Sequence, residues 1–314
     1  MFGNADKQER KTAPMDDKGL EILRKKAYGQ YKKAMFLCGC FILASLMMFG
    51  RHGIHNEDYT LFEWGLFTLI ITALLTVIFC CLCYLLLIRR AQEGFIRAYK
   101  EQYVLPLLME NGRFQTLEYF PESGLGYDEV AGLHVVDCGV KNHFSSTDRL
   151  TGYYGDIRFL LCNVNTGRTG KVGKIYTSDS IFHGPVIRFD NVPALLGFQG
   201  TMRVFDNKYV AGFKDRPSAY KIKTGDPGFD GRFQVYASDG DDTPLTPVLI
   251  EKMKAFADKS GKWVSFTFSG SSAIVAVHRP RNLFDVFVDK PVSGQKAELL
   301  KDIRMIQAAG ELFS

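Results

Sequence analysis

Signatures of known chemistry are scarce in this chain. It has 7 cysteines, and only Cys138 and Cys162 fall after Arg90. Those two form no CxxC pair, so neither a disulfide framework nor a zinc site can be built from them. The histidines (His52, His55, His134, His143, His183 and His278) are scattered, and no H-E-x-x-H or G-x-S-x-G motif occurs. Gly167–Lys174 resembles a phosphate loop but fails on spacing: five residues separate Gly167 from Gly173-Lys174, where four are required. Ile175 also stands where a Ser or Thr must reach Mg²⁺. The stretch reads as a basic loop between strands, with Arg168, Lys171 and Lys174 as a membrane-facing patch in the alternative reading. Asp239-Gly240-Asp241-Asp242 lacks the alternating ligands and distal Glu of a calcium loop and reads as a solvated turn. No catalytic residue, cofactor-binding residue or metal ligand is nominated, and no cofactor is expected.

Charge is missing from two long runs. Ala34–Gly50 and Leu66–Ile88 contain no Asp, Glu, Lys, Arg or His. At 1.5 Å per residue they reach about 25 and 35 Å, bracketing a hydrocarbon core of about 30 Å. They predict a two-pass membrane anchor. Arg24, Lys25, Lys26, Lys32 and Lys33 precede the first run, and Arg89, Arg90, Arg97 and Lys100 follow the second. The connecting loop carries only Arg51 against Glu57, Asp58 and Glu63. Basic flanks stay in the cytoplasm, so both termini are expected there. The long polar stretch before the first run argues against a cleaved signal peptide.

Lys25, Lys26, Lys32, Lys33, Arg89 and Arg90 are the candidate contacts to the membrane surface. Thr68, Thr72, Thr76 and Cys80 recur every four residues and form a candidate helix-packing face. Packing on Ala34, Cys40 and Ala44 is the plain reading, with a homo-oligomer seam as the alternative. Cys38, Cys40, Cys80, Cys81 and Cys83 fall in one leaflet. They read as small apolar residues, against soft-metal binding or acylation. The net charge of +5 belongs largely to these flanks. Residues 91–314 hold 27 Lys and Arg against 26 Asp and Glu, so nucleic acid is not an expected partner.

The expected organisation is a cytoplasmic tail and basic pre-membrane helix over 1–33 and spans at 34–50 and 66–88. A short external loop at 51–65, a juxtamembrane helix over 89–112 and a cytoplasmic α+β domain over 113–314 complete it. Pro106 should bend the juxtamembrane helix and Asn111-Gly112 should end it. Short β-prone runs follow at Ile157–Val164, Lys174–Thr177, Val186–Asp190, Thr201–Phe205, Lys208–Phe213, Ala219–Lys223 and Arg232–Ala237. Thr201–Phe213 reads as a hairpin turning at Asp206-Asn207. Thr246-Pro247 marks a helix start. Trp263–Phe268 and Ala273–His278 read as a second hairpin, and Gln295–Ala309 as a closing amphipathic helix. The fold class is α+β: a two-helix transmembrane hairpin, then a mainly antiparallel β domain with packed helices.

Several blocks carry a resemblance. They include Tyr154-Gly155-Asp156-Ile157, Phe198-Gln199-Gly200 and Asp206-Asn207-Lys208 with Gly212. Phe233 to Asp239, Leu245-Thr246-Pro247, Met253 and Val264-Ser265-Phe266 complete the set. In order and spacing they resemble an uncharacterised bacterial family of two-span membrane proteins with a domain of unknown function. The departure lies between Asp239 and Leu245, where that family has a longer, Arg-containing stretch. The resemblance implies a membrane location and a shared fold, and supplies no activity.

The function expected is that of an inner-membrane-anchored cytoplasmic binding or scaffold module. Its partners would be the lipid bilayer and a protein or small ligand at the cytoplasmic face. The alternative is a membrane-associated enzyme whose site is assembled from residues distant in sequence.

Overall fold

The computed structural model describes residues 14–53, 61–172, 175–210, 220–238, 244–260 and 263–314. The start of the tail, residues 54–60 of the expected loop, Lys174, Gly212 and the Asp239–Asp242 group lie outside them. Two units are formed. A helical unit comprises Met1–Tyr103 and Val286–Lys296, and a sheet unit comprises Val104–Asp285 and Ala297–Ser314.

In the helical unit, α1 (Asp17–Gly53) packs along α2 (Leu61–Cys83) and α3 (Arg90–Tyr99). Phe41 and Phe79 stack at 4.4 Å, and Ala34, Cys83 and Ile88 are buried in a small apolar cluster. Elsewhere the helices expose Met35, Phe36, Leu43, Leu46, Leu74, Val77 and Leu86, among others. One described helical run, Ile70–Glu110, is long and apolar enough to cross a membrane.

That run contains π-helical turns at Tyr84–Arg89 and Lys100–Val104 and ends in α4 (Leu105–Asn111). The expected strain at Pro106 falls beside the second of these. Proline has no N–H for the carbonyl four residues back, here Gln102, and its ring crowds that carbonyl. The Gln102 carbonyl instead accepts a hydrogen bond from the Met15 N–H at 2.9 Å. The helix stops at Gly112, which is extended at φ −141° and ψ 170°.

The sheet unit contains β1 (Phe114–Phe120), α5 (Tyr127–Leu133), β2 (Ser145–Tyr154), β3 (Ile157–Val172), β4 (Ile175–Asp190) and β5 (Thr201–Asp206). Then come α6 (Asn207–Val210), β6 (Tyr220–Ile222), α7 (Pro227–Arg232) and β7 (Phe233–Ala237). The remaining elements are α8 (Pro247–Ser260), β8 (Val264–Ser269), β9 (Ser272–Val277) and α9 (Val292–Glu311), whose first residues belong to the helical unit. The strands make one 9-stranded sheet in the order β1-β2-β3-β4-β9-β8-β5-β7-β6, antiparallel at every junction. The α+β class is therefore observed.

β8 lies inside the sheet, and its alternation explains the two layers around it. Val264, Phe266 and Phe268 point to one face, where Phe266 meets Phe256 of α8 and Phe268 meets Phe313, each at 6.3 Å. Ser265 and Thr267 point the other way. Their hydroxyls donate to the carbonyls of Val135 at 2.6 Å and His134 at 3.2 Å, which no strand could satisfy. His134 sits in the left-handed region at φ 52° and ends α5. Val130, Val135, Val136, Cys162 and Phe182 complete that second core.

Two expectations are corrected. The basic stretch from Gly167 is largely strand, not loop: Arg168 pairs with Asp179 and Gly170 with Thr177 in a long β3–β4 ladder. Lys174–Thr177 and Val186–Asp190 thus join into one strand, as far as the described residues run. The Thr201–Phe213 hairpin does not form. Both edges of β5 are taken, by β7 and β8, and Asn207–Val210 turns into a helix. The Asp206 carboxylate accepts the Lys208 N–H at 3.0 Å, and the Asn207 amide donates to the Gly231 carbonyl at 2.7 Å. These side-chain bonds offer the backbone a turn in place of a ladder.

Candidate functional site

Of the expected surface contacts, Lys25, Lys26, Lys32, Lys33, Arg89 and Arg90 are all exposed. Lys32 lies over the Tyr28 ring at 4.7 Å, and Arg89 pairs with Glu93 at 2.7 Å. Thr72, Thr76 and Cys80 are half-buried while Leu74, Leu75, Val77 and Ile78 are exposed. The Thr76 hydroxyl is spent on the Thr72 carbonyl at 2.8 Å. The side chain of Thr68 lies outside the described residues.

Arg24 is a different matter. It belongs to the basic flank in sequence, yet it is buried and engaged. Its Nη2 and Nε donate to both carboxylate oxygens of Glu21, at 2.6 and 2.9 Å, and its Nη1 donates to the Val288 carbonyl at 2.8 Å. Glu21 also accepts the Val292 N–H at 3.1 Å. One turn earlier, Asp17 accepts from the Tyr103 hydroxyl at 2.7 Å and from Lys296 at 3.0 Å. The helical unit is thus clasped by a segment from near the other end of the chain.

The Arg24 hydrogen bonds hold the Glu21 carboxyl down to about 2, against burial, with help from the Val292 N–H. The Tyr103 hydroxyl is the main cause lowering Asp17, and burial followed by Asp17 pushes Tyr103 up. A carboxyl depressed in the folded state stabilises fully above its ordinary value of 4.5 and loses that contribution as pH falls through about 2. The clasp's contribution should therefore be nearly whole at pH 5 and fall progressively as pH drops from 4.5 to about 2. Carboxyl ¹³C titration of Glu21 should give a midpoint near 2 in the native chain and near the usual Glu range in Arg24→Ala; a native midpoint in that usual range would reject the pairing.

In the sheet unit, Arg279 begins the next constellation. It follows β9, its Nη2 pairs with the fully buried Asp302 at 2.8 Å, and Arg281 adds a second pair to the same oxygen at 3.0 Å. The other Asp302 oxygen accepts the Phe284 N–H at 3.1 Å. The Nη1 of Arg279 is buried without a hydrogen-bond partner. Arg279 also lines a cavity of about 600 Å³, together with Lys259 at the end of α8 and Lys301, Arg304, Met305 and Gln307 on α9. Phe256, Val277 and Ala308 supply apolar wall, and Glu311 is a carboxylate on the lining. Lys301 is committed to Glu298 at 2.6 Å and is the main cause lowering that carboxyl. Lys259 and Arg304 make no ion pair among the described residues.

Sequence reasoning did not find this site. Lys301, Arg304 and Gln307 recur at helical spacing on α9, but Lys259 and Arg279 join them only through the fold. The same holds for His183 and His278, distant in sequence. The His183 N–H donates to His278 Nδ1 at 3.4 Å, and Trp263 stacks on His278 at 4.7 Å. Cys138 and Cys162 are buried thiols in one apolar cluster, and burial pushes Cys138 up to about 12, so neither is poised as a nucleophile. Among the described residues no group of His, Cys, Asp and Glu could hold a metal ion.

The cavity is built wholly from residues 256–311. A second cavity, of about 500 Å³, also draws on Arg113 and Tyr154–Ile157. No curated protein and no solved structure matches the chain. A family match begins in β4, downstream of the Tyr154–Ile157 block, and takes in β5 to β9, α8, α9 and every residue of the basic cavity. Over residues 180–314 the chain matches the family described as "Protein of unknown function (DUF3137)".

Proposed function

We propose that this is a two-span inner-membrane protein of bacterial type with both termini in the cytoplasm. Its sheet unit serves as a cytoplasmic binding module for a protein or small ligand. The observation carrying the reading is the apolar belt on α1, α2 and the Tyr84–Arg89 turn that continues α2. Met35, Phe36, Leu43, Leu46, Leu74, Val77 and Leu86 are exposed on packed helices, with exposed Lys25, Lys26, Lys32, Lys33, Arg89 and Arg90 at one end. Water-exposed apolar surface of this extent is costly, and lipid removes the cost. Cationic ends on the same side favour the cytoplasmic face.

Extraction and labelling test it. The chain should stay with membranes through alkaline carbonate. In a Cys-depleted background, Ser314→Cys should resist an impermeant thiol reagent in intact cells and react after lysis. Release by carbonate, or labelling of Ser314→Cys in intact cells, overturns the proposal.

A further inference from the structure

We propose that the basic cavity between α8, the end of β9 and α9 binds a small phosphorylated organic molecule, of about nucleotide size. This names the ligand class for the binding role above and rests on that reading only in treating the sheet unit as the binding part.

The argument begins with charge. Lys259, Arg279, Lys301 and Arg304 line one space of about 600 Å³. Asp302 answers Arg279 and Arg281, Glu298 answers Lys301, and Glu311 is the acid of the lining itself. That leaves Lys259 and Arg304 without an ion pair among the described residues, and five cations against three acids in and around the lining. It also leaves one buried guanidinium nitrogen of Arg279 with no acceptor, although buried N–H groups are nearly always paired. A multiply charged oxyanion would offset the cations that line the space.

Size and wall composition narrow the class. The volume falls in the range of small-molecule sites, roughly 300–1,000 Å³, and far exceeds a bare phosphate. Phe256, Val277, Met305 and Ala308 give the space apolar sides for an organic body, and Gln307 adds a neutral donor and acceptor. The cations stand on regular elements: Lys301 and Arg304 share one face of α9, and Arg279 is fixed by the Asp302 pair. Such placement suits a preformed site.

A soluble organic phosphate and the head group of an anionic phospholipid share this chemistry. Isothermal titration of the full chain in neutral detergent distinguishes them, with ADP, dihexanoyl phosphatidic acid, inorganic phosphate and adenosine as probes. ADP or the short-chain lipid should bind saturably and identify the source, whereas adenosine should not bind. Each charge-assisted hydrogen bond lost is worth roughly tenfold in affinity. Lys259→Glu with Arg304→Glu, both on exposed side chains, should therefore weaken binding by about a hundredfold. Thermal unfolding without ligand should stay unchanged, and the remote exposed Lys221→Glu should bind as the native chain does. Absence of saturable binding by ADP and by the lipid overturns the proposal, as does binding that survives the double variant. Neither result touches membrane extraction, so failure here and failure of the anchoring proposal are told apart.

Discussion

Asp302→Ala should be the most damaging single change in the sheet unit, costing about 3–5 kcal/mol. The side chain is 0% exposed and serves three groups: Arg279, Arg281 and the Phe284 N–H. Removing it leaves two guanidinium groups short of their counter-charge and one buried N–H without an acceptor. Asp302→Asn keeps the shape and one acceptor oxygen, so it should lose less. Denaturant unfolding of the full chain in mild detergent, followed by tryptophan fluorescence, measures both. A loss below about 1 kcal/mol for the alanine variant would show that the pairs are energetically idle, as many surface pairs are.

Arg24→Ala should cost the helical unit about 2–3 kcal/mol, less than a fully buried pair because Glu21 keeps some solvent contact. Its effect should be local. Amide exchange at Val288–Lys296 should accelerate, while the β8–β9 amides should be unchanged. Arg24→Lys should rescue little. A lysine has no planar fork with which to grip both Glu21 oxygens and still reach the Val288 carbonyl. Equal exchange rates in native and variant chains would remove the clasp from the account.

What could be read from sequence was what is encoded locally. Thr246-Pro247 specifies the start of α8 through chemistry contained within a few residues, and the Thr246 hydroxyl does accept the Leu249 N–H at 3.2 Å. The β8–β9 hairpin was equally legible, since its partners are adjacent and its turn holds Gly270 at φ 53°. β1 and β2 were missed for a physical reason. Thr116 at φ 49° and Asp148 at φ 58° sit where their ladder slips register, so the alternation that betrays a strand is broken. The Gly167 stretch misled because its glycines look like loop punctuation, although cross-strand pairing carries them. The clasp and the basic cavity were illegible for another reason: Arg24 with Val288, and Arg279 with Asp302, are joined by topology rather than spacing.

The clasp also sets a timetable for biogenesis. Arg24 waits for an acceptor 264 residues further along the chain, and Asp17 for a lysine 279 residues away. At a synthesis rate of roughly 5–20 residues per second, that delay is about 15–55 seconds. Throughout it α1 lacks the partners that close the clasp: Arg24 has only Glu21 of its own helix, and Asp17 has no lysine. Completion of the helical unit is therefore a late event, gated by translation of Val286–Lys296, and chains truncated before Val286 should form α1 without ever closing the clasp.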